Sequence, residues 1–498
     1  MRVPRPISSL GRRAIALLVL IAPLPASATE LDFYGASSGT TKVCLASRAA
    51  TTCARSFFPF PLAGKLKHTR AVCSLTMTAT ATIKFVDDGS ETSLPSCVFS
   101  SGRTCADDTE IAFDANSKLA FSYVNAGSET NQWCRVTGDF YLADGVTPYP
   151  AMIAWNGTLD DAPTDLGFCG PGDVNSALGD APPRCDSTNE DEAAFLVPCC
   201  GVVGMAVGIA NAATQSITFQ LRDRTDSIVP DVAVTISSGE TIDSDMTCTT
   251  NCGTGGGYRF SVRADCASSC DNGSNNRAFG FMVLFDAGST NVSLKTMQHV
   301  RHRSGGPRYG TNQTNTEPTI SDNVSHCFTR PMRLEELYGW FESPPTSTLD
   351  VMFCAGPTYN PNCITPIATC QITSGGSGAK SCSWLTGGVD FMPGDCWSLA
   401  HGAIGDTDNP DSLHALAVLR EIPMPTPTDT PPASPTPTSS ATATVTATAT
   451  PSPSITPTLS SLQGTPGHVF LHKRERRFDH ARPRHFIHRR DRHFLEKD

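Results

Sequence analysis

The feature that most limits what this chain can fold into is a pattern it repeats three times. Cys97-Val98-Phe99-Ser100-Ser101-Gly102, Val234-Thr235-Ile236-Ser237-Ser238-Gly239 and Cys370-Gln371-Ile372-Thr373-Ser374-Gly375 form one motif at steps of 137 and 136 residues. Pro61, Pro198 and Pro331 keep nearly that step, each ahead of an apolar strand pattern. Phe121-Ser122-Tyr123, Phe260-Ser261-Val262 and Trp397-Ser398-Leu399 recur downstream, and each unit closes on an apolar run: Trp133 to Leu142, Phe279 to Phe285 and Leu413 to Leu419. A period this long is too large for a solenoid turn or a propeller blade and matches a whole domain. The repeat therefore predicts three tandem modules, at 29–148, 149–290 and 291–422.

Within each module the pattern has the period of a strand. Thr82-Ile83-Lys84-Phe85-Val86, Ile217-Thr218-Phe219-Gln220-Leu221 and Leu349-Asp350-Val351-Met352-Phe353 alternate apolar with polar residues between Gly, Ser, Asp and Pro clusters. The expected fold class is all-β: three tandem antiparallel β-sandwich, jelly-roll-like modules, disulfide-braced and followed by a disordered C-terminal tract.

The two ends read differently. Residues 1–28 place Arg2, Arg5, Arg12 and Arg13 before an apolar stretch and Ala26-Ser27-Ala28, the layout of a secretory signal peptide. No other segment has the length of a transmembrane helix, so a secreted, extracellular or cell-surface protein is expected. Residues 423–467 form a stalk: from Pro425 to Ser461, 33 of 37 residues are Pro, Thr, Ser or Ala, too little apolar surface to offset the ordering entropy. Residues 468–498 form a basic tail rich in His and Arg, which reads equally as a tether to an anionic surface polymer or as a disordered end with no role. Between Thr29 and Gly467 stand 24 basic against 43 acidic residues, an acidic body that repels nucleic acid.

All 20 cysteines precede the stalk, and each module holds an even number, as closed disulfides require. Cys97 and Cys105 become Val234 and Ile242 in the second module and return as Cys370 and Cys382 in the third. Joint replacement marks them as bonded pairs, Cys97–Cys105 and Cys370–Cys382. Proximity adds Cys354–Cys363 and Cys44–Cys53, and elimination then leaves Cys73–Cys134 and Cys327–Cys396. Cys248, Cys252, Cys266 and Cys270 have the spacing of a four-thiolate zinc site, but export favours their oxidation to disulfides.

No catalytic constellation emerges. Gly35-Ala36-Ser37-Ser38-Gly39 fits the serine-hydrolase elbow, yet the strand-like residues after it favour a plain loop. Asp406, Asp408 and Asp411 suggest calcium but lack the Gly and terminal Glu of a known loop, so no metal ligand or cofactor is assigned. His299, His302 and His326 gather near the start of the third module without a carboxylate-oriented triad. Trp155, Trp340, Tyr359 and Trp384 are candidates for stacking on a sugar, and each suits a core equally well. The expected role is adhesive or structural, with glycan or a cell-surface polymer as partner; the alternatives are carbohydrate binding and a secreted hydrolase.

An export signal, tandem Cys-containing β-sandwich modules with an internal Ser/Thr-Ser-Gly, and a Pro-Thr-rich tract together resemble uncharacterised secreted proteins of environmental bacteria. Their modules are similar to the jelly rolls of tail fibres and of tumour-necrosis-factor-like folds. The resemblance spans about 31–461. It implies a bacterial exported or surface protein and transfers no catalytic residue; the basic tail departs from it.

Overall fold

Along Ala81–Asp87, residues Ala81, Ile83 and Phe85 are buried while Thr82 and Lys84 are half-buried, so period-2 patterning gives one strand face to a core. That rule builds nearly everything seen. The computed structural model describes residues 28–422 apart from several connecting segments, the longest being 170–193, 248–257, 267–277, 311–324 and 403–412. The expected stalk and tail, and the expected signal segment up to residue 27, lie outside the described residues. Among those residues there is one 3-10 turn, Cys53–Arg55, and no helix long and apolar enough to cross a membrane.

The first sandwich comprises β1 (Thr29–Ser37), β2 (Val43–Leu45), β3 (Ala49–Ala50), β4 (Phe58–Phe60), β5 (Gly64–Met77), β6 (Ala81–Asp87), β7 (Ser90–Phe99), β8 (Gly102–Asp107), β9 (Ile111–Phe113), β10 (Ser117–Asn125) and β11 (Gln132–Leu142). The second comprises β12 (Ala151–Thr158), β13 (Gly167–Cys169), β14 (Phe195–Val197), β15 (Gly201–Ile209), β16 (Ile217–Asp223), β17 (Ile228–Ile236), β18 (Ile242–Asp245), β19 (Tyr258–Cys266) and β20 (Ala278–Asp286). The third comprises β21 (Val292–His299), β22 (Arg308–Gly310), β23 (His326–Cys327), β24 (Met332–Phe341), β25 (Leu349–Gly356), β26 (Ala368–Ile372), β27 (Ser381–Trp384), β28 (Val389–Phe391), β29 (Cys396–His401) and β30 (Leu413–Glu421).

All pairings are antiparallel, and one connectivity recurs. The front sheets run β1-β11-β5-β8, β12-β20-β15-β18 and β21-β30-β24-β27; the back sheets run β2-β10-β6-β7, β13-β19-β16-β17 and β22-β29-β25-β26. In each, the first strand pairs with the last and the second with the one before it, the winding of a jelly roll. The short strands β4, β14 and β23 each attach to β10, β19 and β29. The repeated motif falls at the ends of β7, β17 and β26, and the aromatic-Ser-apolar triplet on β10, β19 and β29.

Five disulfides are closed among the described residues: Cys44–Cys53, Cys73–Cys134, Cys97–Cys105, Cys327–Cys396 and Cys370–Cys382. Cys354 is also disulfide-bonded. Cys363, Cys248, Cys252 and Cys270 lie outside the described residues, and with them the zinc reading; Cys266 ends β19. Multiple disulfides indicate an oxidising, extracellular-type environment.

The sandwiches close a ring. β4 lies against β12, β15 and β20; β14 against β30; β23 against β5 and β11. The same short strand of each sandwich thus meets the last strand of the next, and the third returns to the first. The three opening strands β1, β12 and β21 touch one another at the centre of this quasi-threefold arrangement.

Two joints are apolar. Met152, Ala154, Ala206, Met282 and Leu284, on the outward face of the second front sheet, belong to one cluster with the first core. Val292, Leu294, Tyr338, Trp340, Leu416 and Val418, on the outward face of the third, join the second core. In the first joint Phe57 sits over the cross-strand pair Gly208 and Gly280, where a Cβ would come within 2.7 and 2.6 Å of Phe57 atoms.

Candidate functional site

The third joint is charged. Along β1, Leu31 and Phe33 enter the first core while Glu30 and Asp32 point outward. Across β11 these face Asp139 and Thr137, with Tyr34 opposite Arg135. On an isolated sheet this would be a solvated face. Here the third sandwich covers it, and Glu30, Asp32, Arg135, Asp139, Lys295 and His326 are all buried.

The buried groups are closely matched. Lys295 Nζ on β21 donates to Asp32 Oδ2 at 2.7 Å and lies 3.4 Å from Glu30 Oε2, while Thr137 donates to Asp32 Oδ1 at 2.7 Å. Arg330 donates to Asp139 Oδ1 at 3.1 Å and to Glu421 Oε2 at 2.8 Å. Thr329 donates its backbone N–H to Glu30 Oε1 at 3.0 Å, and its Oγ1 lies 2.5 Å from both Glu30 Oε1 and Asp139 Oδ1. His326 stacks on Trp397 at 5.5 Å, with Nδ1 3.4 Å from Asp32 Oδ1.

Electrostatics follow from burial and partners. Burial pushes Asp139 up to about 7, with Arg330 opposing and Glu30 adding to the rise. Burial works against the Lys295 charge, but Asp32 and Glu30 outweigh it and hold the ammonium above its ordinary range. Burial, then Arg135 and Lys295, drives His326 well below its usual value, so its ring is neutral.

A second concave feature lies between the first two sandwiches. A cleft of about 360 Å³ is lined by Asp88, Asn116, Lys118 and Thr241, with Phe57 beside them. Asp88 (φ 46°) and Asn116 (φ 60°) adopt the left-handed conformation that suits these residue types at turns. Lys118 Nζ donates to the Ile209 carbonyl at 2.7 Å and sits 5.2 Å from the Phe57 ring centre. Burial pushes the Lys118 ammonium down to about 8, countered by Asp88.

The aromatic candidates fare unevenly. Trp155 is 0% exposed, packed against Phe195 and Phe281, so it has no face to offer a sugar and its assignment as a stacking platform is corrected. Trp340 is corrected likewise: it is buried in the second joint, with the Arg259 guanidinium 4.0 Å over its ring and His414 at 5.0 Å. Trp384 is half-buried against the third core. Tyr359, His302 and the trio Asp406, Asp408 and Asp411 lie outside the described residues. Gly35, Ala36 and Ser37 lie in β1, paired with Cys134, Trp133 and Gln132, where a nucleophile elbow would need a turn into a helix. His326 belongs to the charged joint, and no group of three His, Cys, Asp or Glu among the described residues has metal-holding geometry.

Sequence reading passed over Glu30, Asp32, Asp139, Lys295, Thr329 and Arg330. One signal was present: Met152 and Ala154 on β12, like Leu294 on β21, make the outward face of those strands apolar, whereas Glu30 and Asp32 make that of β1 charged.

The fold and its joints define a class: a single-chain ring of three jelly rolls. No protein-family model matches the chain, and no curated protein matches its sequence. Among solved structures, one similar chain is described as "The Triple Jelly Roll Fold and Turret Assembly in an Archaeal Virus", 10% identical, covering 73% of this chain and 80% of that chain, with a TM-score of 0.15. A likeness at that score carries no argument, and the jelly-roll assignment rests on the strand order.

Proposed function

We propose that the protein is an exported structural or adhesive element, a rigid ring of three jelly rolls carried on a Pro/Thr-rich stalk. One observation carries this reading: among the described residues, a set of buried ionisable groups from Glu30 to Arg330 is spent on joining two sandwiches, with its charges facing one another. Groups committed to a joint hold a shape. The resemblance to secreted bacterial proteins and the signal-like first 28 residues support export, and the basic tail supplies a means of tethering to an anionic polymer, an attraction that salt screens.

The test is binding of the full chain to intact cells and extracted surface polymers at low and high salt. Binding that survives Asp88→Asn and Trp384→Ala supports the adhesive reading. Absence of binding to every surface, together with a soluble monomer, overturns it.

The cleft favours a second reading, carbohydrate binding, because Asp88, Asn116, Lys118 and Thr241 offer donors and acceptors around a space of about 360 Å³. A glycan array separates the two. A hit abolished by Asp88→Asn or Lys118→Ala would establish the second reading, and silence would remove it.

A further inference from the structure

A hydroxyl owns one proton, and Thr329 Oγ1 has two carboxyl oxygens at 2.5 Å, Glu30 Oε1 and Asp139 Oδ1. Were both carboxylates ionised, one contact would set lone pair against lone pair at a distance only a strong hydrogen bond tolerates. Glu30 and Asp139 are also direct cross-strand partners, where two like charges oppose each other. A proton on one carboxyl resolves both conflicts. It gives a directed chain in which Asp139 donates to Thr329 and Thr329 donates to Glu30.

We propose that the ring closes on a stored proton: docking the third sandwich onto the first takes up one proton on Asp139, and opening that joint releases it. The surrounding charge agrees. Among the side chains of the joint, three cations, Lys295, Arg330 and Arg135, meet four carboxylates, Glu30, Asp32, Asp139 and Glu421, so the carboxylates outnumber the cations by one.

The other groups facing Asp139 leave it this role. Lys67, its partner across β5, turns instead to Glu110 and to the Gly145 carbonyl. His68 pairs with Asp108 at the surface. Tyr141 stays a neutral phenol, pushed up to about 12 by burial. On the other side of the joint, His326 is neutral and borders Asp32.

A carboxyl whose folded pKa is raised favours the protonated form, so its contribution to the joint is full below the unfolded value of 3.8 and is lost progressively as pH rises from there to the folded value near 7. His326 titrates in the opposite sense, so the diagnostic quantity is a ratio. We expect the equilibrium unfolding constant of the full chain, relative to Asp139→Asn, to rise about tenfold per pH unit between about pH 5 and about pH 7 and to level above that. A ratio independent of pH overturns the proposal. Infrared spectroscopy of the wild-type chain gives a readout that needs no stable variant. A buried carboxylic-acid carbonyl band should be present at about pH 6 and lose a component above about pH 8. No such band at the lower pH overturns the proposal equally.

Discussion

Lys295 Nζ stands 2.7 Å from Asp32 Oδ2 with both side chains shut off from solvent, one on the opening strand of the third sandwich and the other on that of the first. The chain that separates them holds two further joints, both apolar. Apolar faces drive association without direction, whereas a buried ion network costs desolvation and is satisfied in one register only. The joint that closes the ring is therefore the one whose geometry is most narrowly specified.

Replacing Lys295 tests this directly. Lys295→Met leaves Asp32 and Glu30 buried beside no ammonium, and we expect a loss of about 3–5 kcal/mol in denaturant unfolding. Arg333 and Asp390 form a bidentate pair at the surface, and Arg333→Ala should cost less than about 1 kcal/mol. Equal losses in the two variants would show that the buried pair has no special part in the joint.

The first joint is sensitive to shape. A Cβ on residue 280 would meet the Phe57 carbonyl oxygen at 2.6 Å and Pro59 Cδ at 3.1 Å, so at least one sandwich must shift. Gly280→Ala should therefore cost about 1–3 kcal/mol by overpacking. Gly356 is the control, because nothing lies within 4 Å of its would-be Cβ, and Gly356→Ala should change stability by no more than about 0.5 kcal/mol. Crystallographic displacement of β4 from β20 in Gly280→Ala would locate the strain.

How much of this was readable in advance depends on which neighbour each residue answers to. The motif at Cys97, Val234 and Cys370 was legible because it lies on equivalent strands, each packed within its own sandwich. The joint change of Cys97 and Cys105 to Val234 and Ile242 exposed a bonded pair for the same reason. Trp340 misled because it points out of its own sheet, which reads as accessible, and only the neighbouring sandwich covers it with Arg259. Glu30 and Asp32 alternate with Leu31 and Phe33 and so carry the signature of a solvated strand face. Periodicity reports a strand's own sheet and is blind to a second layer arriving from residues 263 positions away.

The disulfides should not be equal in effect. Cys97–Cys105 and Cys370–Cys382 close loops of 8 and 12 residues, whereas Cys73–Cys134 and Cys327–Cys396 close 61 and 69. If restraint of the unfolded chain dominates, removing a long-loop bond as a Cys pair→Ala costs about 4 kcal/mol and removing a hairpin bond about 2.5 kcal/mol. Cys97→Val with Cys105→Ile, which installs the side chains the second sandwich already uses, should be the mildest of these changes. Thermal unfolding of the double variants ranks them, and a larger loss for the hairpin pair would reverse the argument.

The acid limb of stability belongs in part to His326. Its ring is buried against Trp397 near two cations, so the folded chain holds it neutral while the unfolded chain protonates it at its ordinary value. A base whose folded pKa is depressed contributes stability above the unfolded value, and that stability is lost as pH falls below it. Relative to His326→Gln, which cannot titrate, the wild-type chain should lose up to about 1.4 kcal/mol per pH unit below about pH 6.5 and nothing above it. Asp139 and Glu421, both raised by burial, work the other way over the same range, so the wild-type curve alone will be shallow. Urea titrations of both chains at about pH 7.5 and about pH 5 decide the matter: a stability difference that stays constant between them would mean that His326 takes up its proton in the folded ring as readily as in the open chain.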